Sequence, residues 1–211
     1  RGAGTGKCMM TFGITGTRRQ TRNALKEARS ICKAQNGVYT GTRLGDKWAA
    51  KRFTMPYLRE ALWQMGYAVD TLETATDWDN VDNLLGLIET NLREGLTDQQ
   101  ENTHVFTHLS HFYSQGCSIY TTYVFRVGDS YEETLARWQK LKPSTSELIV
   151  NNRGTISHQH GVGRDHAPWL GHEKGEQGIA ALQSLVKHFD PQQRLNPGCL
   201  LDDTPVINKE F

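Results

Sequence analysis

Between Gly154 and His166 the sequence sets Gly154, Gly161 and Gly163 among His158, Gln159, His160 and His166, with Arg164 and Asp165 beside them. Imidazoles take up and release protons near neutral pH, an arginine holds anions in a forked hydrogen bond, and glycine lets a backbone approach a bound molecule closely. An ordinary polar connection can share this composition. The density of proton-handling groups nevertheless suits a loop that faces a ligand.

Other segments carry weaker signals. His104, His108 and His111 lie close together, but on a regular strand a spacing of three turns His108 and His111 to opposite faces, and no carboxylate lies between them. The expectation is therefore no metal site, with His108 as a single pocket-facing imidazole or an ordinary strand residue. Tyr120 and Tyr123 fall on opposite faces by the same rule, so one can face a pocket while the other packs. The opening Gly2 to Lys7 superficially resembles a phosphate loop, but the first glycine is missing and Cys8 follows the lysine, so a plain loop is expected.

Charge narrows the partners. With 24 Lys+Arg against 23 Asp+Glu, no net field draws the chain to nucleic acid, and a small-molecule partner is expected. Cys8, Cys32, Cys117 and Cys199 show no metal-ligand spacing and suit reduced thiols, which implies a cytoplasmic, soluble protein. No apolar run reaches the ~20 residues that a membrane-crossing helix needs. A start at Arg1 in a glycine-rich loop suggests a piece of something longer.

The elements that would position these residues follow from periodicity. Cys8 to Ile14 is a strand candidate, Thr17 to Gln35 an amphipathic helix, and a polar connection through Trp48 and Phe53 leads to Pro56. Tyr57 to Met65 predicts a short helix and Tyr67 to Thr74 a strand. From Asp77, a plausible N-cap, Val81, Leu84, Leu85, Ile88 and Leu92 mark one face of a long helix that ends at Gly95. Val105 to Phe112 and Ser118 to Val127 predict a hairpin, followed by helices over Tyr131 to Leu141 and Ile179 to Phe189. This order predicts an α+β fold, an antiparallel sheet with helices packed on one face. By function the chain divides into residues 1–150 and a His-rich loop, last helix and tail over 151–211.

Gly154 to Gly163, followed by Phe189-Asp190-Pro191 and Leu195-Asn196-Pro197-Gly198, resembles the C-terminal domain of FAD-linked oxidases of the vanillyl-alcohol-oxidase type. The resemblance runs from about Met9 to Leu201 and implies a ferredoxin-like substrate or cap domain of a two-domain flavoenzyme. FAD would be bound mainly by an N-terminal domain that this sequence does not contain. Hydroxy-acid dehydrogenases of that superfamily hold a metal with two strand histidines and a loop glutamate. Here Gln159 stands at the glutamate position and Tyr120 at that of the second histidine, so those two ligands are lost.

Gly116 to Tyr120, the histidines of the loop, and Asp70 to Ala75 with Trp78 are more similar to the alkyldihydroxyacetonephosphate synthase branch. That branch exchanges the acyl group of a lipid precursor for a long-chain alcohol without net redox change. The resemblance implies Tyr120 and His160 as catalytic groups, His158, Gln159, His160 and Asn196 against the flavin, and Arg59, His108 and Arg164 toward the substrate and its phosphate. A phenol, with pKa ~10, is a poor base near neutral pH unless hydrogen bonding or a positive charge favours its anion, help that His158, His160 or His108 would supply. The alternatives are an FAD-dependent D-2-hydroxy acid dehydrogenase, in which a loop histidine takes the hydroxyl proton, and a ligand-binding fragment without catalysis. The expected partners are a lipid or hydroxy-acid substrate and the flavin domain of the same protein. A homodimer and peripheral membrane contact are compatible with this reading.

Overall fold

A computed structural model describes residues 9–54 and 56–201, so Gly2 to Cys8 lie outside the described residues. Met9 to Ile14 form no strand, contrary to expectation. Apolar residues alone do not make a strand; backbone partners must also be available, and none of the described strands pairs with this run.

The chain divides into two units, Arg1–Leu58 and Arg59–Phe211. The first contains α1 (Arg18–Ala34) and α2 (Arg43–Lys51). Thr17 and Gln20 cap α1 reciprocally, each side chain taking a backbone N–H of the other. In α2 a helix replaces the expected irregular connection, because a nine-residue segment interrupted by Gly45 is too short to display a clear 3.6 period. The division falls within α3 (Tyr57–Gln64).

The second unit runs β1 (Tyr67–Asp77), α4 (Val81–Glu94), β2 (His104–Phe112), β3 (Gly116–Arg126), α5 (Tyr131–Asn151) and α6 (Ala167–Phe189). β3 lies in the middle of the sheet, antiparallel to both neighbours, in the order β1-β3-β2. This is the split βαβ arrangement of a ferredoxin-like α+β fold, as expected. Alternation along β3 sends Cys117, Ile119, Tyr123 and Phe125 into a core with Leu84, Ile88 and Leu92 of α4 and Leu141 and Ile149 of α5. The other face carries Ser118, Tyr120 and Thr122. Leu84 and Leu92 are fully enclosed, so truncating either to alanine is expected to cost ~2–5 kcal/mol.

Several boundaries moved. A 3-10 turn over Trp78–Asn80 precedes α4, so Asp77 does not cap the long helix. Asn80 instead uses its amide to bridge Thr76 Oγ1 and the carbonyl of Asn152, tying the start of α4 to the end of α5. α5 continues ten residues past Leu141 through Pro143. Proline there lacks an N–H, but the hydroxyls of Ser144 and Thr145 bond the carbonyls of Lys140 and Leu141, and packing on α4 holds the helix together. α6 begins at Ala167, twelve residues before its apolar spacing becomes legible, and is interrupted at Gly175, whose φ is 65°.

Candidate functional site

β1 is an edge strand, and its free edge is where the histidine loop attaches. The Thr155 N–H bonds the carbonyl of Ala75 at 3.0 Å, and the His158 N–H bonds that of Glu73 at 2.9 Å. These bonds extend the edge pairing without forming a regular strand. Thr74 Oγ1 adds a bond to the Thr155 carbonyl at 2.7 Å. Gly154 makes the approach feasible: a Cβ there would lie 2.7 Å from Thr74 Oγ1 and 2.8 Å from Ile149 Cγ2. From α6, Glu173 Oε2 accepts from Thr155 Oγ1 and from the Ile156 N–H, fixing the loop's other side.

On the sheet face away from the core, register puts three side chains in one row. Glu73 of β1 and His108 of β2 both sit opposite Tyr120 of β3. His108 stacks on the Tyr120 ring with centroids 4.9 Å apart, and His160 meets that ring edge-on at 5.3 Å. Tyr123 points the other way, into the core, as strand alternation requires. The Tyr120 hydroxyl makes no hydrogen bond among the described residues.

Glu73 organises the row. Its side chain is 3% exposed, and the His158 Nδ1 lies 3.0 Å from Oε1 and the His160 Nε2 3.0 Å from Oε2. Ser110 Oγ donates to Oε1 at 2.9 Å. Burial pushes this carboxyl up, but hydrogen bonds from His158, Ser110 and Ser118, together with the charge of His158, outweigh burial and leave it below the ordinary glutamate value. An ionised carboxylate only accepts, so the Nδ1 of His158 donates to it, and whenever the ring carries a single proton its Nε2 is an acceptor. The Tyr113 hydroxyl occupies that acceptor at 2.9 Å.

His111 also reaches this cluster, its Nδ1 3.5 Å from Glu73 Oε1. The expected opposition of His108 and His111 therefore fails. Between Leu109 and Phe112 the register slips by one residue, so Ser110 and His111 both bond Ser118 Oγ, and two consecutive side chains serve one face. Glu73, His111 and His158 bring one ligand atom each within 4.8 Å of one another, a spacing that a cation could bridge. Sequence spacing alone hid this convergence, since the carboxylate comes from another strand.

The remaining expected residues are placed less centrally. Gln159 is exposed in the left-handed region at φ 59°, followed by Gly161 at φ 74°. Arg164 gives its guanidinium to the Pro197 carbonyl at 2.9 Å, and Cys199 Sγ lies 3.5 Å from the Val162 carbonyl, so the turn bearing Asn196 is tied to the end of the histidine loop. Arg164 therefore holds protein structure with one of its nitrogens. Arg59 is exposed on α3, and among the described residues no ion pair or hydrogen bond joins it to the histidines.

Glu73, Ser110 and Tyr113 were not singled out as site residues by sequence reasoning. A glutamate amid the β-favouring run Val69 to Thr76 was the available signal, because a carboxylate on a strand face needs donors nearby if it is to be buried.

Comparison with known proteins gives this site a family. The profile of FAD linked oxidases, C-terminal domain, matches residues 2–200. The alkyldihydroxyacetonephosphate synthase of Trypanosoma brucei brucei is 28% identical over 197 residues, covering 93% of this chain and 32% of that protein. The synthase of Dictyostelium discoideum is 26% identical over 203 residues, covering 96% and 32%. This chain thus spans 32% of the length of these curated relatives. A solved structure of alkyldihydroxyacetonephosphate synthase superposes with a TM-score of 0.55 at 20% identity, over 85% of this chain and 29% of that one, a likeness of fold. With a ferredoxin-like sheet, a histidine loop along its edge and a match spanning nearly every residue, the chain belongs to the family of FAD-linked oxidase C-terminal domains.

Proposed function

We propose that this chain is the substrate-side half of an FAD-dependent enzyme of the alkyldihydroxyacetonephosphate synthase type, which exchanges an acyl for an alkyl group in ether lipid synthesis. The observation that carries the proposal is Tyr120, set between His108 and His160 on an open sheet face above a buried carboxylate. The similarity to two synthases along almost the whole chain supports the same choice.

The residues present fit a flavin. Gly161 has open space where a Cβ would stand, and with Gln159 also left-handed the loop offers backbone and amide donors beside the ring nitrogens of His158 and His160. A planar heteroaromatic edge rich in acceptors suits such donors. His158, Gln159, His160 and Asn196 would face the cofactor, whose bulk an N-terminal domain of the same protein would hold. When bound, FAD supplies an electron-accepting ring system for the reacting carbon.

This chain's own residues orient the substrate and handle protons. Tyr120 moves the proton at the reacting carbon, and His160 fixes the ring edge-on while its Nε2 rests against Glu73. His108 stacks behind the same phenol and presents its ring toward the substrate side. Arg59 and Arg164 are assigned to the substrate phosphate, Arg164 through the guanidinium nitrogens that Pro197 does not use. On this reading the enzyme works in the cytoplasm, and a homodimer and peripheral contact with the membrane that supplies its long-chain alcohol are compatible with it.

The test uses the full-length protein with its flavin. Alkyl–acyl exchange without an electron acceptor is the expected outcome. Bleaching of the flavin by a D-2-hydroxy acid, with no exchange, would establish the dehydrogenase and sink the synthase.

A further inference from the structure

Two phenols flank Glu73, and they are wired differently. Tyr120 has ring contacts but no hydrogen bond to its hydroxyl among the described residues. Tyr113 is bonded at its hydroxyl, which is 2.9 Å from Nε2 of His158, whose Nδ1 is 3.0 Å from the buried Glu73 Oε1. A carboxylate that orients an imidazole, which in turn accepts from a hydroxyl, is the arrangement that turns a weak acid into a usable base. The proton taken up by the ring is stabilised by the carboxylate behind it.

The geometry around this chain is fixed by more than the three side chains. Tyr113 sits at the hairpin turn, where its N–H bonds the Gly116 carbonyl at 2.8 Å and its own carbonyl accepts from Trp78 Nε1 at 3.1 Å. The His158 backbone N–H is bonded to Glu73, and His111 packs beside the His158 ring at 5.2 Å. Tyr113 remains 49% exposed, whereas Glu73 is buried. A relay whose outer member is accessible and whose inner member is buried can take a proton from a reactant and hold it beside the carboxylate.

We propose that Tyr113, backed by His158 and Glu73, is a second catalytic group of this site, the base that activates the hydroxyl of the incoming long-chain alcohol. This rests on the synthase reading. An acyl-to-alkyl exchange needs two separate proton transfers, one at the reacting carbon and one from the alcohol, and a single phenol cannot hold both at once. In the step assigned here, the alcohol O–H proton passes to the Tyr113 oxygen as the Tyr113 proton passes to Nε2 of His158. The alcohol oxygen forms the new C–O bond with its freed electron pair. The bond from the carbon to the acyl carboxylate breaks with its pair staying on the carboxylate. The proton held on His158 then returns through Tyr113 to water or to that carboxylate. Nothing is oxidised or reduced.

The experiment compares wild type and Tyr113→Phe in the full-length flavoprotein, with a plain long-chain primary alcohol and with an analogue acidified by fluorine atoms next to the hydroxyl carbon. The expected result is a fall of ~100-fold in kcat with the plain alcohol, in the range for losing a general base, and recovery of most of that loss with the acidic one. Exchange by the variant within about threefold of wild type overturns the proposal, and so does an equal loss with both alcohols, which marks a structural clip. A wild-type protein that carries out no exchange overturns the synthase reading and this proposal together. Wild-type exchange with an unimpaired variant overturns only the role of Tyr113.

Discussion

Asp70 and Glu73 lie three residues apart on β1, and alternation places them on opposite faces of one sheet. Asp70 faces the helices. Its Oδ2 accepts from Tyr123 at 2.9 Å, Trp138 Nε1 at 2.7 Å and Lys142 Nζ at 3.2 Å. Lys142 also donates to the Thr71 carbonyl, so this network ties β1 and β3 to α5. Glu73 faces the histidine loop and is bonded instead by Ser110 and by two imidazoles, groups that can themselves gain or lose a proton. Both carboxyls lie below their ordinary values despite burial that acts upward, Asp70 through Lys142 and the donors around it and Glu73 through His158 and the serines. The difference is in the partners: a lysine and two ring donors lock a core, whereas imidazoles in contact with phenols link a buried charge to the other face of the sheet.

The contrast can be broken at its structural end first. Replacing Lys142 with methionine leaves Asp70 without its cation, and stability should fall by ~3 kcal/mol, the low end for breaking a buried pair because the Asp70 side chain is 29% exposed. Denaturant melts would register this, while the circular dichroism of the folded state stays unchanged. Destabilisation below ~1 kcal/mol would mean that Asp70 is held by its neutral donors alone.

At the functional end, Tyr120→Phe in the full-length flavoprotein should lower exchange about 100-fold with a midpoint of unfolding within about 1 °C of wild type. A parallel loss of stability would move Tyr120 from the chemistry to the packing side of the comparison. Acid is the next probe, smaller in effect. Because both carboxyls are depressed in the folded state, their contribution is fully present above the ordinary values of 3.8 and 4.5 and disappears as pH falls through the lower folded values. Stability should therefore decline below about pH 4.5, and Lys142→Met should flatten the Asp70 part of that decline while leaving the Glu73 part. An unaltered pH profile in the variant would show that Lys142 does not set the Asp70 shift.

The smallest effect is expected at Arg164. Its guanidinium bonds the Pro197 carbonyl at an exposed position, so Arg164→Ala should change stability by ~0.5–1 kcal/mol. If Arg164 also holds the substrate phosphate, KM rises while the flavin spectrum is unmoved. An unchanged KM would confine this arginine to anchoring the tail.

Legibility differed between the elements and the site. The hairpin and α4 could be read because a buried face imposes its period on the residues that line it, as in Val81, Leu84, Ile88 and Leu92, whereas α1 was read from its apolar spacing although none of its residues is buried. The second half of α5 could not, since Pro143 forbids continuation locally and only packing against α4 permits it. Met9 to Ile14 failed for the opposite reason, an apolar run with no described partner.

By itself, the sequence determined the family, the α+β order and the importance of the loop from Gly154 to Gly163, because glycine and histidine types at fixed spacing are properties of the chain. Which groups meet in space was decided by tertiary structure alone. The register of β1 against β3 brings Glu73 opposite Tyr120, a one-residue slip in β2 turns His111 toward the same face, and the free edge of β1 draws His158 between Glu73 and Tyr113. These encounters join residues up to 85 positions apart. No local pattern records them, since hydrogen bonds between distant strands and loops are fixed only once the core has set how the sheet pairs.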